Sequence, residues 1–187
     1  MRGRAAALVF LILLLTGCSY TAARYAVSVD NVMVLRSLKG QGVSVGPFTA
    51  VDPGRTSIGC RGGSPVEVPG REPFEAYFRK ALLDELTLAE LYAPGAAVTL
   101  TGHLESLDFT SGIMISGAWT IAMSLRSTNG QMISVHHVHE FPTAYVGDIA
   151  CGRVAAAFAP AVQAVITKLV RHPQFPALLR GGIDARD

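Results

Sequence analysis

Three histidines within four residues, His136, His137 and His139, are the densest set of metal-capable side chains in this 187-residue chain. On a strand, His137 and His139 share one face because side chains alternate with a period of two. That spacing suits two metal ligands, but a zinc site needs three or four converging donors. His136 and Glu140 point the other way, and His103 is distant in the sequence. The expected reading is therefore solvent-facing histidines on an uncovered sheet face, with no metal and no cofactor. No serine is expected to act as a nucleophile. No Ser-x-x-Lys opens a helix, and Gly62-Gly63-Ser64 lacks the following helix that would make it a phosphate cradle. Glu75, Asp84 and Glu85 read as carboxylates on a solvated helix face, positioned as i,i+4 partners of Arg79 and Lys80. Cys151 falls near a helix start, where the dipole lowers a thiol pKa. A disulfide is the plainer use for it. The chain is read as no enzyme.

The remaining chemistry is one of address. Arg2 and Arg4 precede an apolar run over 5–15, and small residues then lead to Cys18. Charge, apolar core and small residues in that order make a secretory signal. The run is eleven residues, whereas a spanning helix needs about 20. Leu15-Thr16-Gly17-Cys18 resembles the lipobox of bacterial lipoproteins. That resemblance implies that Cys18 is lipidated, with a diacylglyceryl group and an amide-linked acyl chain, and becomes the first mature residue. Ser19, where inner-membrane lipoproteins often have Asp, implies export to the inner leaflet of the outer membrane, facing the periplasm.

Removing 1–17 leaves 170 residues, enough for one domain with a real core. Loss of Arg2 and Arg4 leaves 14 basic residues against the 14 acidic ones, so the formal charge falls from +2 to zero. Nucleic-acid binding needs clustered positive charge; no nucleic-acid partner is expected. Outside the signal, no apolar stretch reads as long and charge-free enough to span a bilayer. Cys60 and Cys151 remain, and an oxidising compartment favours joining them, with two free thiols as the alternative.

These residues need elements to hold them. Residues 18–29 read as a tether. Asp30 caps a short helix over 31–38, and 43–50 alternates as a strand that Pro47 makes bulged or outermost. Residues 51–70, with eight Gly and Pro, read as a loop with few packing side chains, either mobile or binding. A helix is expected over 72–92, with Phe74, Tyr77, Phe78, Ala81, Leu82, Leu86 and Ala89 on one stripe. Strands follow over 97–109, 117–126 and 131–141, the last two joined by a tight Asn129-Gly130 turn. A second long helix covers 148–170, kinked at Pro160, with Val154, Phe158, Ala161, Val165 and Leu169 inward. The apolar tip over 112–117 either reaches a partner or folds back. The expected fold is α+β: a two-layer sandwich, a four-stranded mostly antiparallel sheet with two helices on one face, in the order β-α-β-β-β-α. One domain spans 30–180, and 181–187 is a polar tail.

Leu15-Thr16-Gly17-Cys18, the strand over 43–48, the long helix over 74–91 and the strand over 98–107 together resemble bacterial envelope lipoproteins of the YajG kind and, more loosely, transport-auxiliary lipoproteins. The resemblance implies a lipid-anchored, non-enzymatic periplasmic domain and supplies no catalytic residue. The function expected is a binding or assembly module of the cell envelope, attached to the membrane by its lipid and to an envelope protein partner. The alternative is an auxiliary subunit of an outer-membrane transport or secretion complex. A metal-dependent hydrolase using the strand His136 to His139 is the third reading.

Overall fold

The computed structural model describes residues 19–38, 42–112 and 116–180. Cys18, the middle of the 112–117 tip and the polar tail lie outside the described residues. The α+β class holds. The elements in chain order are β1 (Tyr20–Thr21), α1 (Val29–Arg36), β2 (Ser44–Ala50), β3 (Ser57–Ile58), β4 (Val66–Glu67), α2 (Phe74–Leu88), β5 (Thr99–Ser111), β6 (Ser116–Ser127), β7 (Met132–Pro142), α3 (Gly147–Val170) and α4 (Phe175–Leu178).

Local chemistry sets the boundaries. Ser28, not Asp30, caps α1: its hydroxyl accepts from the Asn31 N–H at 3.4 Å. α2 starts after Pro73 and stops four residues short of the expected end, because Glu90 turns left-handed at φ 63°. The Leu91 N–H then reaches back to the Leu86 carbonyl at 2.9 Å and the Glu90 N–H to that of Thr87 at 3.0 Å, a Schellman closure. Between β6 and β7, Gly130 takes φ 89° and the Ser127 N–H donates to the Gln131 carbonyl. Residues 128–130 thus make a three-residue hairpin loop with glycine at the left-handed position.

The large sheet has strand order β2-β5-β6-β7. β5, β6 and β7 run antiparallel, while β2 lies parallel beside β5. β2 is outermost, and its register shifts between Val45 and Phe48, where Pro47 offers no donor. β5 slips by one residue between Leu104 and Ser106, which moves the buried series from Leu100 and Leu104 to Leu107. Trp119, Ile121, Met123 and Leu125 of β6 are fully buried. Phe158 of α3 packs against both β6 and α2. Its ring centroid lies 4.9 Å from Trp119 and 5.5, 5.2 and 6.2 Å from Phe74, Tyr77 and Phe78 of α2. The Trp119 indole N–H donates to the Val154 carbonyl at 2.9 Å. By length and composition α3 is apolar enough to cross a membrane, contrary to the sequence expectation, but its stripe Val154, Phe158, Ala161, Val165 and Leu169 is buried in this core.

A second sheet was not expected. β1, β4 and β3 form it, in that order, from the segments read as tether and loop. The Tyr20 N–H donates to the Pro65 carbonyl and the Ala22 N–H to that of Glu67. Ile58, Cys60, Val66 and Val68 are buried, so 51–70 packs despite its glycines. Residues 19–28 are likewise folded in: the Tyr77 hydroxyl donates to the Ala23 carbonyl and the Gln163 amide to that of Ala26.

Candidate interaction surfaces

The alternation that put His137 and His139 on one side of β7 is present, but the face is the other one. His139 stands opposite Trp119 and His137 opposite Ile121, so both point to the helix-covered side. α3 crosses this edge of the sheet, where the Lys168 ammonium donates to the His136 carbonyl at 3.0 Å. Burial first, then the charges of Lys168, His139 and His136, hold the His137 imidazole below its ordinary pKa; burial does the same to His139. Their rings lie 6.0 Å apart, and the His137 Nε2 has no partner. His103 is engaged elsewhere, its Nδ1 2.8 Å from the Thr49 hydroxyl. Among the described residues no group of three or more His, Cys, Asp or Glu is placed to hold a metal.

One serine pattern was overlooked. Gly42-Val43-Ser44-Val45-Gly46 has the spacing of a nucleophile elbow. Ser44, however, sits within β2, paired with Thr99, and extended strand follows it where an elbow needs a turn into a helix.

The carboxylates of α2 divide. Lys80 and Asp84 pair at 2.6 Å as expected. Glu75 instead accepts from the Gly54 N–H, and Arg79 donates to the Gly46 and Val45 carbonyls at the Pro47 bulge. Glu85 is fully buried, which corrects its assignment to a solvated face. Its Oε1 accepts from the Tyr25 hydroxyl at 2.6 Å, the Ser28 N–H at 2.9 Å and the Asn31 amide at 3.1 Å. Burial, then the Glu85 carboxylate itself, push the Tyr25 phenol well above its ordinary pKa. This node fastens residues 25–31 to α2. Beside it lies a cavity of about 390 Å³ lined by Arg24, Tyr25, Glu72, Tyr77, Lys80 and Asp84, where both signs of charge mix.

Two surfaces stand out. The first is the outer edge of β7, eleven residues that pair with β6 on one side, with Met132 and Val138 exposed. The second is the end of the sheet where β5 finishes and β6 starts. Cys60 is joined there to Cys151, with alpha carbons 5.9 Å apart. Arg61, at φ 48°, donates to the Ser111 and Gly112 carbonyls and, at 3.0 Å, to that of Tyr145. Arg153 donates to the Thr143 carbonyl. Between these two arginines the chain presents Tyr145, Val146 and Ile149, which are 81%, 53% and 52% exposed. The described chain also begins at this end: Ser19 donates to Glu67 at 2.5 Å, and the Tyr20 hydroxyl to Asp148 at 2.7 Å. Sequence reasoning missed Arg61, Tyr145, Val146 and Ile149. An arginine in a glycine-rich loop and three apolar residues that straddle a helix start carry no periodic signal.

No family model and no curated protein matches this chain. Among solved structures the chain is similar to protein XCC0632 from Xanthomonas campestris, whose family is DUF330. The TM-score is 0.56 and the identity 15%, with 86% of this chain and 96% of that one covered. It is also similar to a structure described as an uncharacterized protein, with a TM-score of 0.48, 12% identity, and coverage of 82% and 98%. The first likeness is one of fold.

Proposed function

We propose that this chain is a lipid-anchored, non-enzymatic binding or assembly module of the bacterial envelope. Acylated Cys18 sits in the inner leaflet of the outer membrane, with the domain in the periplasm. The reading includes kinship with the YajG-type envelope lipoproteins, supported by Leu15-Thr16-Gly17-Cys18 and by the element order. It also treats the domain as two layers, α2 and α3 over one face of the large sheet, supported by the contacts of Phe158.

The observation that carries assembly is the β7 edge. Among the described residues no strand pairs with its outer side, where Lys168 takes the His136 carbonyl, and such edges template pairing with another chain. A partner strand added there continues the sheet past β7. Anchoring at the bilayer raises the effective concentration of that edge for an envelope partner.

In the native host, Cys18→Ala is expected to leave a folded domain that no longer sediments with membranes; the variant remaining in the membrane fraction sinks the anchor. Crosslinking from β7 is expected to capture one envelope protein. Val138→Lys, a charge on the exposed side of that edge, should abolish the capture while leaving the domain folded. Capture unchanged by Val138→Lys sinks the edge as the contact.

A further inference from the structure

The stretch that ordinarily spaces a lipoprotein domain from its bilayer is folded into this one. Ser19 is fastened to Glu67, Tyr20 and Thr21 pair with β4, and Ala22 is buried. If Cys18 carries the acyl chains, its alpha carbon lies about 3.8 Å from that of Ser19. No length of free chain then separates lipid from domain, so the end that holds Ser19 and Tyr20 lies against the membrane surface.

That end carries the matching chemistry. Tyr20 bonds Asp148, and Asp148 is flanked by Gly147 and Ile149 at the start of α3. Tyr145, Val146 and Ile149 project there. An amphipathic phenol beside aliphatic side chains suits the headgroup boundary. Arg61 and Arg153 hold the 143–145 backbone from either side, and both are exposed. Their positive charge lies where anionic headgroups attract it. Asp148 and Glu67 are opposing charges at this end; Tyr20 donates to the first, and Ser19 and Arg71 donate to the second. The molecule's other end also exposes apolar side chains, Val29, Met33 and Met132. Met132 is separated from Pro142 by the length of β7, about 33 Å at 3.3 Å per residue, so that end faces away.

We infer that the rim formed by Tyr145, Val146 and Ile149, flanked by Arg61 and Arg153, is a bilayer-docking surface that seats the domain directly on the membrane in one orientation. The inference rests on the lipid-anchor reading and adds which face meets the lipid.

The test uses the full chain, acylated in its host, purified and reconstituted into phosphatidylethanolamine–phosphatidylglycerol vesicles with brominated acyl chains. Trp119, the chain's one tryptophan, is fully buried and gives a constant background. Single tryptophans replace exposed side chains as Tyr145→Trp, Ile149→Trp and, at the far end, Met132→Trp. Rings seated about 5–10 Å into the interface should lose about half their fluorescence at 145 and 149, with none lost at 132. Flotation with the vesicles without quenching at 145 and 149 overturns docking and leaves the anchor standing; a protein partner or a second copy on this rim gives that result. Quenching at 132 alone overturns the orientation. A wild-type chain that does not float overturns the anchor and the docking together.

Discussion

At the residue scale, the imidazoles of His137 and His139 matter through the proton they refuse. Both lie on the covered side of β7, and burial keeps both below the ordinary histidine pKa. In the unfolded chain they titrate near pH 6.5. Below that pH the unfolded state binds protons that the folded state does not, so stability falls with falling pH. The contribution is complete above about pH 6.5 and is lost as pH drops through the lowered folded values. Urea midpoints measured between pH 5 and pH 8 should therefore fall on the acid side, and the double variant His137→Gln, His139→Gln should flatten that fall. An acid limb of the same steepness in the variant would assign the effect to other groups. The same pair shows where sequence reasoning stops. Alternation put the two rings on one side of a strand, but which side α3 covers is decided by tertiary packing, and nothing between Met132 and Pro142 encodes it.

At the scale of elements, the end of α2 stores a local cost. Glu90 occupies the left-handed region at φ 63° to close the helix, a position at which glycine carries no Cβ penalty. An L side chain there costs about 1–2 kcal/mol. Glu90→Gly is expected to stabilise the domain by about 1 kcal/mol. The variant gives up only the 3.9 Å contact with Arg36, an exposed pair of little worth. A denaturant midpoint unchanged or lowered in Glu90→Gly would show that the strain is not there to relieve. Because no glycine marks the stop, the periodicity through Leu91 carried the expected helix too far. The three long strands and both long helices were legible because each repeats its pattern over eleven residues or more. β1, β3 and β4 are two residues each, too short for alternation to register, and glycine and proline hide Ile58, Val66 and Val68 among them. Glu85 was misplaced for a related reason. A helix stripe identifies apolar positions, and a buried carboxylate with three donors looks from sequence like any solvated one.

At the scale of the whole molecule, Cys60–Cys151 joins the small sheet to the start of α3 across 91 residues of sequence. The pairing was legible from the cysteine count together with the expected compartment; what it holds was not, because Arg61 and the 143–146 segment carry no pattern. In the chain-entropy model a loop of about that length is worth roughly 4–5 kcal/mol. The loss on reduction should be smaller and unevenly spread, since β5, β6 and β7 pair independently of the bridge. The segments that meet at the rim are 19–22, 57–68 and 143–151, and local opening is expected to follow where the bridge is lost. Hydrogen exchange of the reduced protein should therefore quicken in those three segments and stay slow in the central amides of β6, while the global unfolding midpoint drops. Uniform acceleration across β6 would mean that the bridge holds the whole domain rather than one end. Unchanged exchange everywhere would mean that Arg61 and β1–β4 pairing hold the rim without it.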